Sequence, residues 1–245
     1  MKTDTKYRWR GLVIAIVIIS SWATALIVSL TYNLSPLPFS SVLLLSAAFI
    51  LLNTFLYTGL FITAHDAMHG TVAPRHPKLN RFIGRAVTLL YALFSYDKLE
   101  RKHRLHHAHP ASEADPDYHD GRHTGFFRWY LHFFFTYVTW KQLLGMAIIF
   151  NLLKYIAGIP DINILLFWVL PALLSTVQLF FFGTWLPHRE PADGYTEPHR
   201  AVSNDYNVLL SFLTCYHFGY HYEHHAAPGV PWWRLPDKRE SLSGE

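Results

Sequence analysis

What most constrains this chain is an absence of charge. No Asp, Glu, Lys or Arg occurs in 11–32, 39–64 or 163–186, runs of 22, 26 and 24 residues. A helix needs roughly 20 apolar residues to cross the hydrocarbon of a bilayer, so each run is long enough. A fourth run, 142–160, is broken only by Lys154, whose stem can reach an interface. The sequence predicts four transmembrane helices, over 11–32, 39–64, 142–160 and 163–186, paired into two hairpins. The small-x-small pattern Ala23-Thr24-Ala25 lies inside the first run, which stays apolar through Leu30, as expected for a retained span rather than a cleaved signal peptide. Charged residues make up 16% of the chain, against about 25% in soluble domains, which argues against a soluble enzyme.

Basic residues set the sidedness. Of 21 Lys and Arg, four lie in the first ten residues, nine in 65–125 and five beyond 186, and the two short hairpin loops have none. Positive residues mark the cytoplasmic side, which puts both termini and the 65–125 segment inside. The expected architecture is all-α: one integral membrane domain over 1–245, with a cytoplasmic helical cap built from 65–125 and 187–245. The stretch 126–140 holds nine aromatics in fifteen residues and reads as a helix in the interfacial aromatic belt rather than a substrate wall. A single cysteine, Cys215, excludes a disulfide framework and any CxxC metal site. No nucleic-acid partner is expected.

The chain has sixteen histidines, and ten of them fall at four places on the expected cytoplasmic side. His65 and His69 close the second run; His103, His106 and His107 sit in the basic segment; His188 follows the last run. His217, His221, His224 and His225 lie near the C-terminus. On a helix, residues three or four apart share a face, so these spacings make claws of two, three and three imidazoles, with His217 one turn back and a further possible ligand. Eight imidazoles suffice for two metal ions, although imidazole alone does not choose among Zn, Cu, Fe and Ni. One HxxxH or HxxHH can be a surface or pH-sensing patch; three in order on one side point to metal. His76, His109, His119, His123, His132 and His199 stand outside the pattern. Asp66, Asp115, Asp117 and Glu223 are the carboxylates placed to orient ring N–H groups, with Asp115 and Asp117 equally readable as solvated loop charge.

The three boxes resemble those of the membrane-bound di-iron family of fatty-acyl desaturases, alkane hydroxylases and carotenoid hydroxylases and ketolases. The wording of His65-Asp66-Ala67-Met68-His69-Gly70 is similar to the β-carotene ketolase group within it. So are His106-His107-Ala108-His109-Pro110-Ala111-Ser112 with Asp115-Pro116-Asp117, and the C-terminal 213–225 and 230–236. Tyr222 departs from the pattern, standing where relatives carry His, at a position turned away from the claw. The resemblance implies two irons, O2 as co-substrate, and β-carotene or a zeaxanthin-like carotenoid as substrate. The C4 methylene of a β-ionone ring would be hydroxylated twice and lose water to a ketone, with electrons from a ferredoxin-type donor. Metal ligands would be His65, His69, His103, His106, His107, His188, His221, His224 and His225, with Asp66, Asp117 and Glu223 supporting them. Trp232 and Trp233 are either belt anchors or walls of the ring pocket. Lys98, Arg101, Lys102 and Arg104 suit an acidic donor, and positive-inside topology explains them equally.

Three other readings remain open on residues alone. Carotenoid 3-hydroxylation differs only in which carbon meets the oxidant, and a fatty-acyl desaturase or hydroxylase uses the same scaffold. A membrane haem protein or metal carrier is the non-enzyme alternative. A carrier places its ligands inside the spans, however, and haem needs only one facing pair.

Overall fold

A computed structural model of the chain describes residues 9–33 and 36–243. Its elements are α1 (Arg10–Thr31), α2 (Phe39–Met68), α3 (Pro77–Ala92), α4 (Tyr96–Ala108), α5 (Phe126–Tyr137), α6 (Trp140–Tyr155), α7 (Asp161–His188), α8 (Val208–Cys215), α9 (His221–Ala226) and α10 (Leu235–Ser243), with no strand among the described residues. Three helices, α1, α2 and α7, are long and apolar enough to cross a membrane. The protein is an integral membrane protein.

Side-chain spacing explains how these helices pack. The inward residues of α1, Ala15, Ile18, Trp22 and Ser29, recur at intervals of three, four and seven, one stripe of a helix. The opposite face leaves Val13, Ile16, Val17 and Ile27 exposed, as a lipid-facing surface requires. Where α2 meets both α1 and α8 the chain has Gly59: a Cβ there would lie 2.6 Å from the Tyr216 hydroxyl and 3.0 Å from Ile18.

Two prolines shape α7. Pro171 and Pro187 have no N–H and crowd the carbonyl four residues back, and a π-helical stretch precedes each, Leu165–Val169 and Phe181–Trp185. The Leu170 N–H reaches back five residues to Leu165 O, and Leu186 to Phe181 O, the wider π pattern. The carbonyl that Pro171 leaves without its usual donor belongs to Phe167. Asn53 of α2, fully buried, donates to it at 3.1 Å and to Ser29 Oγ of α1 at 2.9 Å. A second knot joins Thr58 to Ser175 and Gln178 of α7, and Tyr91 of α3 to Ser175.

The region expected to be a straight third span differs. α6 ends at Tyr155 and is 16 residues long, about 24 Å at 1.5 Å per residue, short of the roughly 30 Å of hydrocarbon. It continues from α5 through an 84° bend, so the pair qualifies only as a broken span or a re-entrant loop. Val138 is extended, and Thr139 starts a new helix with a capping box to Gln142. A capping motif inside an apolar run therefore ends one helix and begins another.

The bundle has two distinct ends. Asn163 Nδ2 donates to Leu30 O and Tyr32 O, which joins the start of α7 to the end of α1. At the other end Gly11 packs against the Val72 carbonyl. That end carries the C-terminus of α2 and the C-terminus of α7, with α4 and α9 lying beside them.

Candidate metal centre

Helical geometry divides the histidines in a way the three-claw expectation did not foresee. Residues four apart on a helix differ by only about 40° of rotation, whereas the third member of each HxxHH box is turned further round. In α4, His103 and His107 face one side and His106 the other; in α9, His221 and His225 pair and His224 turns away. Each box thus splits two and one. One group gathers His65 and His69 from α2, His103 and His107 from α4, and His224 from α9. The other gathers His106 from α4, His188 from α7, and His221 and His225 from α9. Within each group the available ring nitrogens lie within 4.8 Å of one another. The groups adjoin, with the His107 and His225 rings stacked at 4.3 Å.

Protein acceptors fix the ring orientation in the second group. His106 Nδ1 donates to the Asp115 carboxylate at 3.0 Å, His188 Nδ1 to Arg200 O at 2.9 Å and His221 Nδ1 to Phe218 O at 3.4 Å. Carboxylates and carbonyls only accept, so Nδ1 carries the proton and Nε2 offers its lone pair inward. The His106 and His221 lone pairs both meet His225 Nε2, at 3.1 Å each, and a single imidazole nitrogen can donate to at most one of them. In the first group His103 Nε2 lies 2.7 Å from His69 Nε2 and 3.1 Å from His107 Nε2. Both ring nitrogens of His65 and Nε2 of His188 are buried without a hydrogen-bond partner. An unsatisfied buried polar atom costs about 1–3 kcal/mol, and facing acceptors repel. A cation in each group removes both penalties, so the residues fit two metal ions.

Protonation agrees with this. Burial, followed by the neighbouring imidazoles, holds His103, His221, His224 and His225 well below the ordinary histidine value. Burial also lowers His69 to about 4 and His107 to about 2. These rings are neutral near pH 7, the form that binds metal. His106 is the exception: burial lowers it, but the Asp115 hydrogen bond and the charges of Asp115 and Asp117 outweigh burial and raise it.

The supporting carboxylates sort differently from expectation. Asp115, only 5% exposed, is the one that orients a ring; it is itself held by the Ala111 and Asp117 N–H groups at 2.9 and 2.8 Å. Asp117 stands 3.8 Å from His106 Nδ1 and accepts the Tyr137 hydroxyl; burial pushes it up to about 6. Asp66 is 4.0 Å from His65 Nδ1, beyond hydrogen-bond reach, and accepts the Trp232 N–H at 3.3 Å instead. Glu223 accepts from Ser203 Oγ and lies 3.5 Å from Arg239, so it braces α9 from outside the centre. His217 also falls outside both groups. α8 ends at Cys215, Tyr216 and His217 are left-handed, and the His217 ring lies against Tyr220 and Trp232. Tyr222 lies against His199 at 5.6 Å and belongs to neither group.

An apolar cavity reaches the centre. His65, His103, His106 and His221 stand at one end, and Phe61, Tyr91, Phe94, Phe133, Leu179 and Phe218 supply most of its apolar wall. Asp117 and Tyr137 are its polar spot. Neither Trp232 nor Trp233 lines it. Trp232 stacks on Phe212 at 5.9 Å, and Trp233 lies under the Arg10 guanidinium at 5.4 Å. The aromatic helix α5, read from sequence as a belt alone, contributes Phe133 and Tyr137 to the wall; their four-residue spacing is the signal that marks one face of it. Nothing in the sequence marks the Arg200 carbonyl.

Comparison with known proteins shows the family. The fatty acid desaturase family model matches residues 39–162 and 138–244. A β-carotene ketolase of Paracoccus sp. strain PC1 is 47% identical over 189 residues, 77% of this chain and 76% of the relative. A β-carotene ketolase of Haematococcus lacustris is 45% identical over 214 residues, 84% of this chain and 65% of the relative. A zeaxanthin 4-ketolase of Chlamydomonas reinhardtii is 41% identical over 244 residues, 96% of this chain and 54% of the relative. With buried histidine groups of this composition and relatives this similar over most of its length, the chain belongs to the fatty acid desaturase family, among its β-carotene ketolases.

Proposed function

We propose that the protein is a β-carotene 4-ketolase, an O2-dependent oxidoreductase that turns the C4 methylene of a β-ionone ring into a ketone. The observation that carries this is the pair of polyhistidine groups at the end of an apolar cavity, in a chain close to several ketolases. Each round consumes O2, two electrons and two protons, inserts one oxygen at C4 and releases water. The second round gives a gem-diol, which dehydrates to the ketone.

The metal is iron. Zinc has no redox chemistry to offer, whereas two irons supply the electrons and oxidising power that O2 needs to attack an allylic C–H bond. His65, His69, His103, His107 and His224 would hold one, and His106, His188, His221 and His225 the other. The protein's own contribution is positional. Asp115 and the Arg200 and Phe218 carbonyls aim imidazole lone pairs inward, the aromatic wall keeps water from the reacting ring, and Asp117 with Tyr137 offers hydrogen bonds beside it.

The arrangement in the cell follows from charge. The chain is one domain, 1–245, with α1, α2, the α5–α6 pair and α7 as four passes in two hairpins. The metal centre and both termini are on the cytoplasmic side with most of the Lys and Arg. A ferredoxin-type donor would meet the exposed α4 residues Lys98, Arg101 and Arg104; Lys102 instead turns inward over the Tyr137 ring at 4.4 Å.

Expression in bacteria that accumulate β-carotene tests the activity, with a His106→Ala, His107→Ala double variant as control. Pigments heavier by one oxygen less two hydrogens per ring, absent with the variant, are the expected result. A gain of one whole oxygen per ring means a 3-hydroxylase. Unchanged pigment from iron-loaded protein in the membrane removes the carotenoid reading and points to acyl lipids.

A further inference from the structure

A carotenoid is about as long as the roughly 30 Å hydrocarbon layer is thick, so the cavity at the histidines can take one ring and not the whole molecule. Tyr91, Phe94 and Thr176 line that cavity and also line a second space on its far side. The second space is a groove between α6 and α7, from Gln142 and Thr176 near the centre to Asn151 and Leu165 at the far end. The stretch of α7 from Leu165 to Thr176 is about 16 Å of helix.

The groove exists because of the 84° bend between α5 and α6. α6 meets α7 near Asp161–Ile164, where Lys154 and Asp161 pair at 2.6 Å and close the far end. Between that contact and the bend the helices stand apart. The lining is apolar except for a few amides and hydroxyls, and the Gln142 amide is occupied: it donates to Ala92 O and accepts from Thr139. Leu143 and Leu173, on its two flanks, are 59% and 45% exposed, so the groove opens sideways toward lipid.

We propose that the α6–α7 groove is the polyene site. The carotenoid enters it laterally from the bilayer, lays its conjugated chain between α6 and α7, and passes one ring between Tyr91, Phe94 and Thr176 to the histidines. This rests on the ketolase reading above. The two spaces share these three residues as a common wall, so a ring joined to a long rigid hydrocarbon has only that wall to pass.

Ala147 and Ala172 line the groove and not the histidine cavity; Ile148, on the same helix as Ala147, lines neither. Ala147→Trp, Ala172→Trp and the control Ile148→Trp are expressed in β-carotene-accumulating bacteria, and ketone formation, iron content and carotenoid retained by the purified protein are measured. Both alanine variants are expected to keep their iron while ketone formation and retained carotenoid fall by at least about tenfold, with Ile148→Trp unchanged. If Ala172→Trp loses iron, Ala172→Leu is read in its place. Alanine variants that retain and convert β-carotene like Ile148→Trp overturn the groove alone and leave it to lipid acyl chains. An unmodified chain that makes no ketone overturns the ketolase reading, and the groove proposal with it.

Discussion

Asp115 is the residue on which the second histidine group depends most directly. It receives the His106 N–H and is locked by two backbone amides, whereas Glu223 is tied to Ser203 and Arg239. Asp115→Asn keeps the size but loses the charge and half of the acceptor capacity. Its iron affinity should fall about 10–100-fold, read as iron retained against graded chelator, while Glu223→Gln holds iron like the unmodified chain. Equal losses in both would show that the two carboxylates act alike. Spacing alone identified eight of the nine histidines that the structure gathers, because helical period dictates which residues share a face; His188, which has no partner at helical spacing, came only with the family resemblance, and His217, on the same expected face, lies outside both groups. Spacing could not rank Asp115 over Glu223, because that ranking depends on how the loop after α4 folds back. The buried imidazoles also set a pH dependence. His69 and His107 stay neutral in the fold down to about 4 and about 2, while in the unfolded chain they take protons below about 6.5. Below that value the unfolded state binds more protons, so the stability of metal-stripped protein is full above it and falls as pH drops. His106 and Asp117, both raised in the fold, oppose this in part. Thermal unfolding of stripped protein should shift down between pH ~7.5 and ~5.5; no shift would mean the rings are solvated.

At the scale of elements, α7 depends on what its neighbours do at its prolines. Asn53 supplies the donor that Phe167 O lacks, so Asn53→Ala strands a carbonyl in an apolar interior. A loss of about 1–3 kcal/mol is expected, measured by unfolding in detergent; an unchanged midpoint would mean that the Phe167 carbonyl finds another donor. Near the second π stretch, a Cβ on Gly183 would sit 2.2 Å from the Phe218 ring, which itself packs on His65 at 4.8 Å and His221 at 5.2 Å. Gly183→Ala should therefore cost about 1–3 kcal/mol by overpacking and lower iron content as well. Lost stability with full iron would separate the helix from the centre. The long charge-free runs revealed α1, α2 and α7 almost to their ends. The break between α5 and α6 was legible at Lys141, between the aromatic 126–140 stretch and the 142–160 run, but the 84° angle between them was not, because it depends on what the two helices pack against.

Across the whole molecule, two ions would staple four helices, α2, α4, α7 and α9, that are remote in sequence. Iron binds the folded arrangement and not the open chain, and at a hundredfold excess over its dissociation constant a single site adds about 2.7 kcal/mol. Chelation should lower the unfolding temperature and make the connections 109–125 and 189–207, which carry Asp115 and Arg200, more sensitive to protease. Readdition of ferrous iron should restore protection. Cleavage indifferent to iron would mean that the nine histidines are held by packing alone.

What the sequence determined by itself was local: which segments are apolar enough to leave water, where along the chain its cations cluster, and which histidines share a helical turn. Each follows from composition and period along the chain. What only the tertiary structure decided was relational. It divided each HxxHH box between two groups, chose Asp115 and two backbone carbonyls to aim the rings, and made Phe133 and Tyr137 a cavity wall instead of Trp232 and Trp233. It also opened a groove where α6 leans away from α7. Those outcomes depend on how one helix is rotated and tilted against another. No single segment encodes such a relation, because packing of all the helices sets it at once.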